Sequence, residues 1–527
     1  MSDRSSLLVE KLWRLKRLID KGECPGVSFV HLNNLLREPG YRSDVLRRVE
    51  GAGSEKLKRL AEEIRAEDTG APLMATATTS TAQITPPEST TRDHSWFRRN
   101  LVWMAPGAVA GVIAIVGFTA FEPQTVRVHE DIIANTVWES GKSYILEKPI
   151  FVENAQLTIE SGVTVKGNNG SALIVNSGSK LFSRGRPDSP VVFTSNQPEG
   201  KRSRGDWGGV VVLGKAPVNQ PGASIEGVSE QDARGQFGGK DPRHSCGVIE
   251  YTRIEFAGFE VYQNNELNGL TLGGCGSDTI VRNVQVHRAL DDGIEMFGGS
   301  VDLKNIVVTG AADDSIDWDW GWTGRVQFLV VQQHSDVGDN AFEGDNNGND
   351  HQALPRSEPV FYNVTLAGTG QTATTHRGMV LREGTGGHFH NMIVDSFGIE
   401  AVDLRDEVAT LVNNGTLTFS HNMIANTGNL GRDSDESGSG NDDFGFSENR
   451  WLTDARNGNA RRLDSALHVT ARDPVNPNFF SRGQVRQMAA KTPPKSEFFD
   501  ESASWVGALN PRLQSSWLTG WTAFPSH

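Results

Sequence analysis

The feature that most constrains this chain is a spelling that returns at short intervals. LDDGIEMFGG occupies residues 290–299, ADDSIDWDWG residues 312–321 and GDNAFEGDNN residues 338–347. Each copy has an acid or amide pair, a small residue, an apolar residue and another acid. A second series accompanies it: NVQV at 283–286, NIVV at 305–308, NVTL at 363–366, NMIV at 391–394 and NMIA at 422–425. RIEF at 253–256 and QFLV at 327–330 are looser versions, and HisAsnMetIle occurs twice, 31 residues apart. The tightest spacing, Asn283 to Asn305, is 22 residues. Short β-branched runs, Gly-rich turns and this pitch predict a parallel β-helix, each rung stacking about 4.8 Å on the next. A leucine-rich repeat requires a leucine skeleton that is absent, and a propeller requires a period of about 40 or more.

The expected fold class is mainly β: a right-handed parallel β-helix over residues 122–426, with rung-like strands already present in the 150–185 stretch. Asn at the repeated turn tolerates the unusual backbone there and predicts a stacked amide ladder. Residues 427–460, rich in Gly, Ser, Asn and Asp, read as a long loop. The remainder of the 427–527 region, to Phe524, reads as a cap over the open final rung, where an edge would otherwise be exposed.

Measured from the Asn column, Glu295, Asp317 and Asp403 each lie 12 residues downstream, and Glu343 takes the same place in a lengthened rung. Asp292, Asp314, Asn340 and Glu400 fill a neighbouring position. Ile294, Ile316, Phe342 and Val402 lie between the two and should point inward. Alternation along a strand then turns Glu295, Asp317 and Glu343 outward as a stacked carboxylate row. Two unit charges about 4.8 Å apart repel by about 0.9 kcal/mol in water and about 3.5 kcal/mol at an effective dielectric of 20. The row must splay, pair with Arg or Lys, hold a proton or bind a cation. Calcium, which takes six to eight oxygen ligands, is the candidate cofactor, and Glu295, Asp317, Glu343 and Asp345 are its candidate ligands. The bland alternative is a solvated acidic face. The candidate acidic row is Asp292, Glu295, Asp314, Asp317 and Glu343. Parity places Trp318 with inward Ile316, so core or turn packing is preferred over a sugar platform for Trp318, Trp320 and Trp322.

LVWMAPGAVAGVIAIVGFTAF, residues 101–121, carries no charge over 21 positions. That length is the expectation for a transmembrane helix. Arg92, Arg98 and Arg99 before it put the N-terminus in the cytoplasm by the positive-inside rule, and residues from about 122 in the periplasm or outside the cell. This predicts an inner-membrane protein. The charge is divided accordingly: residues 1–100 hold 17 Lys/Arg and 14 Asp/Glu, while the whole chain has a formal charge of −14. An acidic protein of this kind is a poor nucleic-acid binder. Leu7, Leu8, Leu12, Leu15, Leu18 and Ile19 recur at helical spacing, and Lys56–Ala66 is amphipathic. Residues 1–68 therefore read as a small helical cytoplasmic domain, joined by a Thr/Pro-rich linker and basic juxtamembrane segment over 69–100. Cys246 and Cys275 lie 29 residues apart, about one long rung, and either pair across neighbouring coils or remain separate thiols. Cys24 reads as a free cytoplasmic thiol.

GDWGGVVVLGKAPVN (205–219), RGQFGGKDPRHSCGVIEYTRIEFAGFEV (234–261), NELNGLTLGGCGSDT (265–279), residues 290–322, and FFDESASWVGALNP with WLTGWTAF near the end together resemble bacterial envelope proteins of parallel β-helix type. These are lipoprotein-like or secreted proteins without an agreed activity. The resemblance covers about residues 125–527 and implies an extracytoplasmic β-helix that partners surface components. Such proteins usually carry an aliphatic residue where this chain has Cys275, which supports pairing with Cys246. Two functions follow as expectations. One is binding of an envelope polysaccharide or envelope protein, with an interaction role for the helical head. The other is a calcium-assisted polysaccharide lyase, hydrolase or epimerase using the acid row, with Arg288, His334 or Arg382 as the basic group.

Overall fold

The computed structural model describes residues 124–527 apart from 230, 263–264, 371, 373–375 and 432–443, together with residues 39–52, 54–68 and single positions before them. Two parallel sheets form the body, one of sixteen strands and one of nine. The chain alternates between them, so each strand pairs with its equivalent one rung away. In the long-stranded sheet Ile280–His287 pairs with Asp302–Thr309, and that strand with Arg325–Gln332. In the short-stranded sheet Ile294–Phe297 pairs with Ile316–Asp319, and that strand with Asn340–Gly344. This is the parallel β-helix. It begins at Gln124–Val128, and its last pairing joins Met423–Ala425 to Ala460–Arg462.

The core follows from alternation. Leu270, Ile294, Ile316, Phe342 and Met379 stack in one inward column, and Leu272, Met296, Trp318, Gly344 and Leu381 in the next. All but the glycine belong to the central apolar cluster. Burying each large aliphatic contributes about 1.5–3 kcal/mol. Gly344 has a steric reason: a Cβ there would lie 2.2 Å from Trp318 Cζ2. The indole thereby occupies the coil centre against Phe342, Phe361 and Phe389, its Nε1 donating to Thr385 Oγ1 at 3.0 Å. Trp322 is likewise buried in the core. Trp320 lies on the outside, against Phe237 and Phe297. Cys246 and Cys275 are joined by a disulfide between neighbouring rungs.

The repeated turn is left-handed: Asn283, Asn305, Asn363 and Asn391 have φ between 55° and 59°. The register departs from the sequence spelling at three rungs, the first at Tyr251, which stands opposite Asn283 where the spelling put Arg253 and takes the left-handed corner at φ 45°. Ile393 pairs with Met423, so His421 rather than Asn422 stands opposite Asn391 and takes the left-handed corner. Phe328, not Gln327, takes it in the rung after Asn305. Nor do the described column asparagines bond one another as a ladder. Asn363 Nδ2 donates to Ala503 O and Trp505 O, and Asn391 exchanges two bonds with the Lys491 backbone. Their partner is the C-terminal segment. It does not stop at the final rung but runs back along the long-stranded sheet, where Leu467, Phe479, Val506, Leu509 and Trp521 cover Val307, Val330 and Ile393.

The transmembrane helix is withdrawn from the fold assignment. Among the described residues no helix is long and apolar enough to cross a membrane. The helices of the N-terminal region, Pro39–Ala52 and Glu55–Glu67, have 14 and 13 residues and are rich in charge, whereas a crossing needs about 20 apolar ones. The expected span at 101–121 and the linker at 69–100 lie outside the described residues. The two helices pack together, and buried Arg42 forks onto Asp68 while donating to Leu35 O.

Candidate functional site

Outward residues of the short-stranded sheet form three rows. The first, Asn268, Asp292, Asp314 and Asn340, is a stitched spine at the strand entries. Each backbone N–H donates to the side-chain Oδ1 one rung back: Asp292 to Asn268, Asp314 to Asp292 at 2.9 Å, and Asn340 to Asp314 at 2.6 Å. These acids therefore have a structural task, as hydrogen-bonded acceptors that carry one rung onto the next.

The second row is Thr271, Glu295, Asp317 and Glu343, with Asp403 further on. It points away from the coil centre, yet it is not a solvated face. Glu295 is only 7% exposed. Two loops roof this sheet and lock together, Asn219 Nδ2 donating to Asn346 Oδ1 at 2.9 Å and Asn347 Nδ2 to Asn219 Oδ1 at 3.1 Å. Asn219 N–H also donates to Trp320 O. In this shelter Asn268 Nδ2 donates to Glu295 Oε2. Asp317 Oδ1 is buried with no hydrogen-bond partner among the described residues. The third row contains Phe297, Asp319, Asp345 and Arg382.

The row divides into two electrostatic halves. At one end Arg382 binds Glu343 Oε2 at 2.6 Å and forks onto both oxygens of Asp345 at 2.8–2.9 Å. Burial disfavours that guanidinium, but Glu343 and Asp345 outweigh it and hold its pKa well above the ordinary value. At the other end Asp292 and Glu295 of one rung and Asp317 of the next place one oxygen each within 4.8 Å of one another. No Arg or Lys is hydrogen-bonded to Glu295 or Asp317 among the described residues. Burial, and then the charge of Asp292, raise the Glu295 carboxyl well above the usual carboxylate range. Burial, and then Glu295, do the same to Asp317. Burial lifts Asp319 to about 7.

Of the residues expected as metal ligands, Glu295 and Asp317 come together, joined by Asp292 rather than by Glu343 and Asp345, which Arg382 takes. Asp314 stays in the spine. Of the basic candidates, Arg382 sits in the row, whereas Arg288 and His334 lie at the corner that follows the long-stranded sheet. Asn268 was not singled out from sequence; its alignment with Asp292 one rung on was the available signal. The residues at this end fit a hard divalent cation: three carboxylates from two neighbouring rungs, one with an orphaned buried oxygen, match calcium's preference for oxygen ligands. Bound there, the ion would neutralise the carboxylates and offer open coordination positions to an oxygen-rich ligand.

A family model described as a pectate-lyase-like β-helix domain matches residues 130–465. The chain belongs to that family. The match takes in every strand of both sheets except the first, Gln124–Val128. It narrows the earlier resemblance to the β-helix itself and supports neither a membrane span nor an envelope family. No curated protein matches the chain. No solved structure matches it either.

Proposed function

We propose that this β-helix binds a carbohydrate polymer through the outer face of its short-stranded sheet, with a divalent cation, calcium, held by Asp292, Glu295 and Asp317. The observation that carries the reading is the convergence of these three oxygens within 4.8 Å, with Asp317 Oδ1 orphaned. At that separation each charged pair repels by about 3.5 kcal/mol at an effective dielectric of 20. Protonation or a cation relieves the repulsion, and only the cation also supplies ligand-binding capacity. Family membership supports a carbohydrate as the ligand. The disulfide supports an oxidising compartment such as the cell envelope.

Binding is favoured over lyase, hydrolase or epimerase chemistry by the state of the basic group. Arg382, the one candidate base in the row, is committed to Glu343 and Asp345 and is held in its charged form. It is therefore unsuited to abstract a proton. Calcium titration by calorimetry, followed by a polysaccharide array with and without chelator, tests the proposal. Calcium-dependent retention of a glycan that Glu295→Gln abolishes is expected. Retention unaffected by chelator would move the binding face elsewhere.

A further inference from the structure

A second cluster of charge lies outside the acid row, where the chain leaves the long-stranded sheet. Arg204 is buried there. It donates through Nε to Gly310 O at 2.7 Å and forks onto Asp336 at 2.8 and 3.2 Å. Gly310 makes the space, since a Cβ on it would lie 2.4 Å from His334 Nδ1. Two imidazoles line the same corner, and their partners fix them as neutral rings. His334 Nδ1 faces the Arg204 guanidinium at 3.3 Å and must accept, leaving Nε2 to donate to Gln332 Oε1. His287 Nε2 donates to Pro525 O at 2.8 Å, leaving Nδ1 to accept from the Thr309 hydroxyl. One carboxylate thus neutralises Arg204, and the histidines add no charge.

Arg288 is the group left over. It stands at a left-handed corner, φ 57°, where the next rung has glycine, Gly310 at φ 66°. Its Nε is buried and has no hydrogen-bond partner among the described residues. It makes no salt bridge with a described carboxylate. A guanidinium is a planar fork of donors with a permanent charge, and burying its N–H groups unpaired is costly. Burial, and then the nearby Arg204 charge, lower its pKa to about 10, and Asp336, already paired with Arg204, only partly offsets them.

We propose that Arg288, backed by the Arg204–Asp336 pair and the neutral His287 and His334 rings, is a binding site for a single carboxylate group. Two guanidiniums against one carboxylate leave one positive charge, which suits a monoanion better than a phosphate dianion. The planar fork matches the two oxygens of a carboxylate. The carboxylate is either a free small anion or a group carried on a sugar. The site is separate from the Asp292–Glu295–Asp317 cluster and needs no metal.

The test is calorimetry on the full chain at pH 7.5, in chelator and at constant ionic strength. Sodium acetate and sodium glucuronate are the probes. Saturable binding is expected for the wild type, at least tenfold weaker in Arg288→Gln and intermediate in Arg288→Lys, which keeps the charge and loses the fork. Glucuronate binding tenfold more tightly than acetate assigns the group to a sugar, while equal affinities assign it to a free anion. Melting curves and near-ultraviolet circular dichroism of both variants check that the fold survives. The site is overturned if the wild type binds neither probe, if folded Arg288→Gln binds as tightly as wild type, or if inorganic phosphate binds tenfold more tightly than either carboxylate. Because chelator is present throughout, failure of the cation site leaves this result unchanged.

Discussion

The two outer faces of this coil are built from the same alternation and end in opposite states. On the long-stranded sheet the outward residues include Gln285, Lys304, Val307, Gln327, Val330 and Tyr362, and the chain's own C-terminal segment covers many of them. Gln285, Gln327, Gln332, Asn363 and Asn391 all bond its backbone. On the short-stranded sheet the outward residues from Glu295 to Asp345 are mainly carboxylates, with one guanidinium for the Glu343–Asp345 end and, among the described residues, none hydrogen-bonded to Glu295 or Asp317. The fold tolerates both because its stability resides in the shared inner columns. Where the chain completes its own outward hydrogen bonds it makes structure. Where the described residues leave them incomplete, at Asp317, lies the cation site proposed above.

The largest expected effect strikes what the faces share. Trp318→Ala removes the indole at the coil centre and should cost about 3–5 kcal/mol. In chemical denaturation, probes on both sheets should lose structure together. Independent loss of the two faces would show that they do not rest on one core. A smaller effect isolates the long-stranded face. Asn391→Ala deletes two bonds to the Lys491 backbone and should cost about 1–3 kcal/mol, with calcium affinity by calorimetry unchanged. A parallel loss of calcium affinity would couple the faces.

A third effect, spread over several pH units, isolates the acid face. Asp319 has its folded pKa raised to about 7 from 3.8, so between these values the folded state binds more protons than the unfolded state. In chelator its contribution favours folding at acid pH, is lost as pH rises from about 4 to 7, and is flat above. Asp319→Asn keeps the acceptor for Trp320 N–H and should flatten that segment of a stability-versus-pH curve. An unchanged slope would mean that the carboxyl is not under strain.

The inner columns were legible because Ile294 and Ile316 recur at one offset from the Asn column, each followed directly by an acid, and Phe342–Glu343 repeats the pattern in a lengthened rung. That pattern placed Glu295, Asp317 and Glu343 in one row, as the strand pairing has them. The turn register was less legible. HisAsnMetIle reads as an identical repeat, but His and Asn both enter the left-handed corner, and the second copy slips by one residue. What decides the site was not legible, because it depends on long-range contacts. Asn219 meets Asn346 across 127 residues to roof the row, and Arg204 meets Asp336 across 132. Whether an outward acid is solvated, paired with Arg382 or left with like charges is set by such partners, and no local spacing encodes them.

The most direct test of the central claim is the stability of the full chain with calcium and with chelator, alongside Glu295→Gln. Calcium at about a hundred times its dissociation constant should stabilise the wild type by about 2.7 kcal/mol, and the variant should show little or none of that gain. No calcium-dependent change in the wild type, or an equal change in Glu295→Gln, would contradict the account and return the acid row to the role of a protonated scaffold.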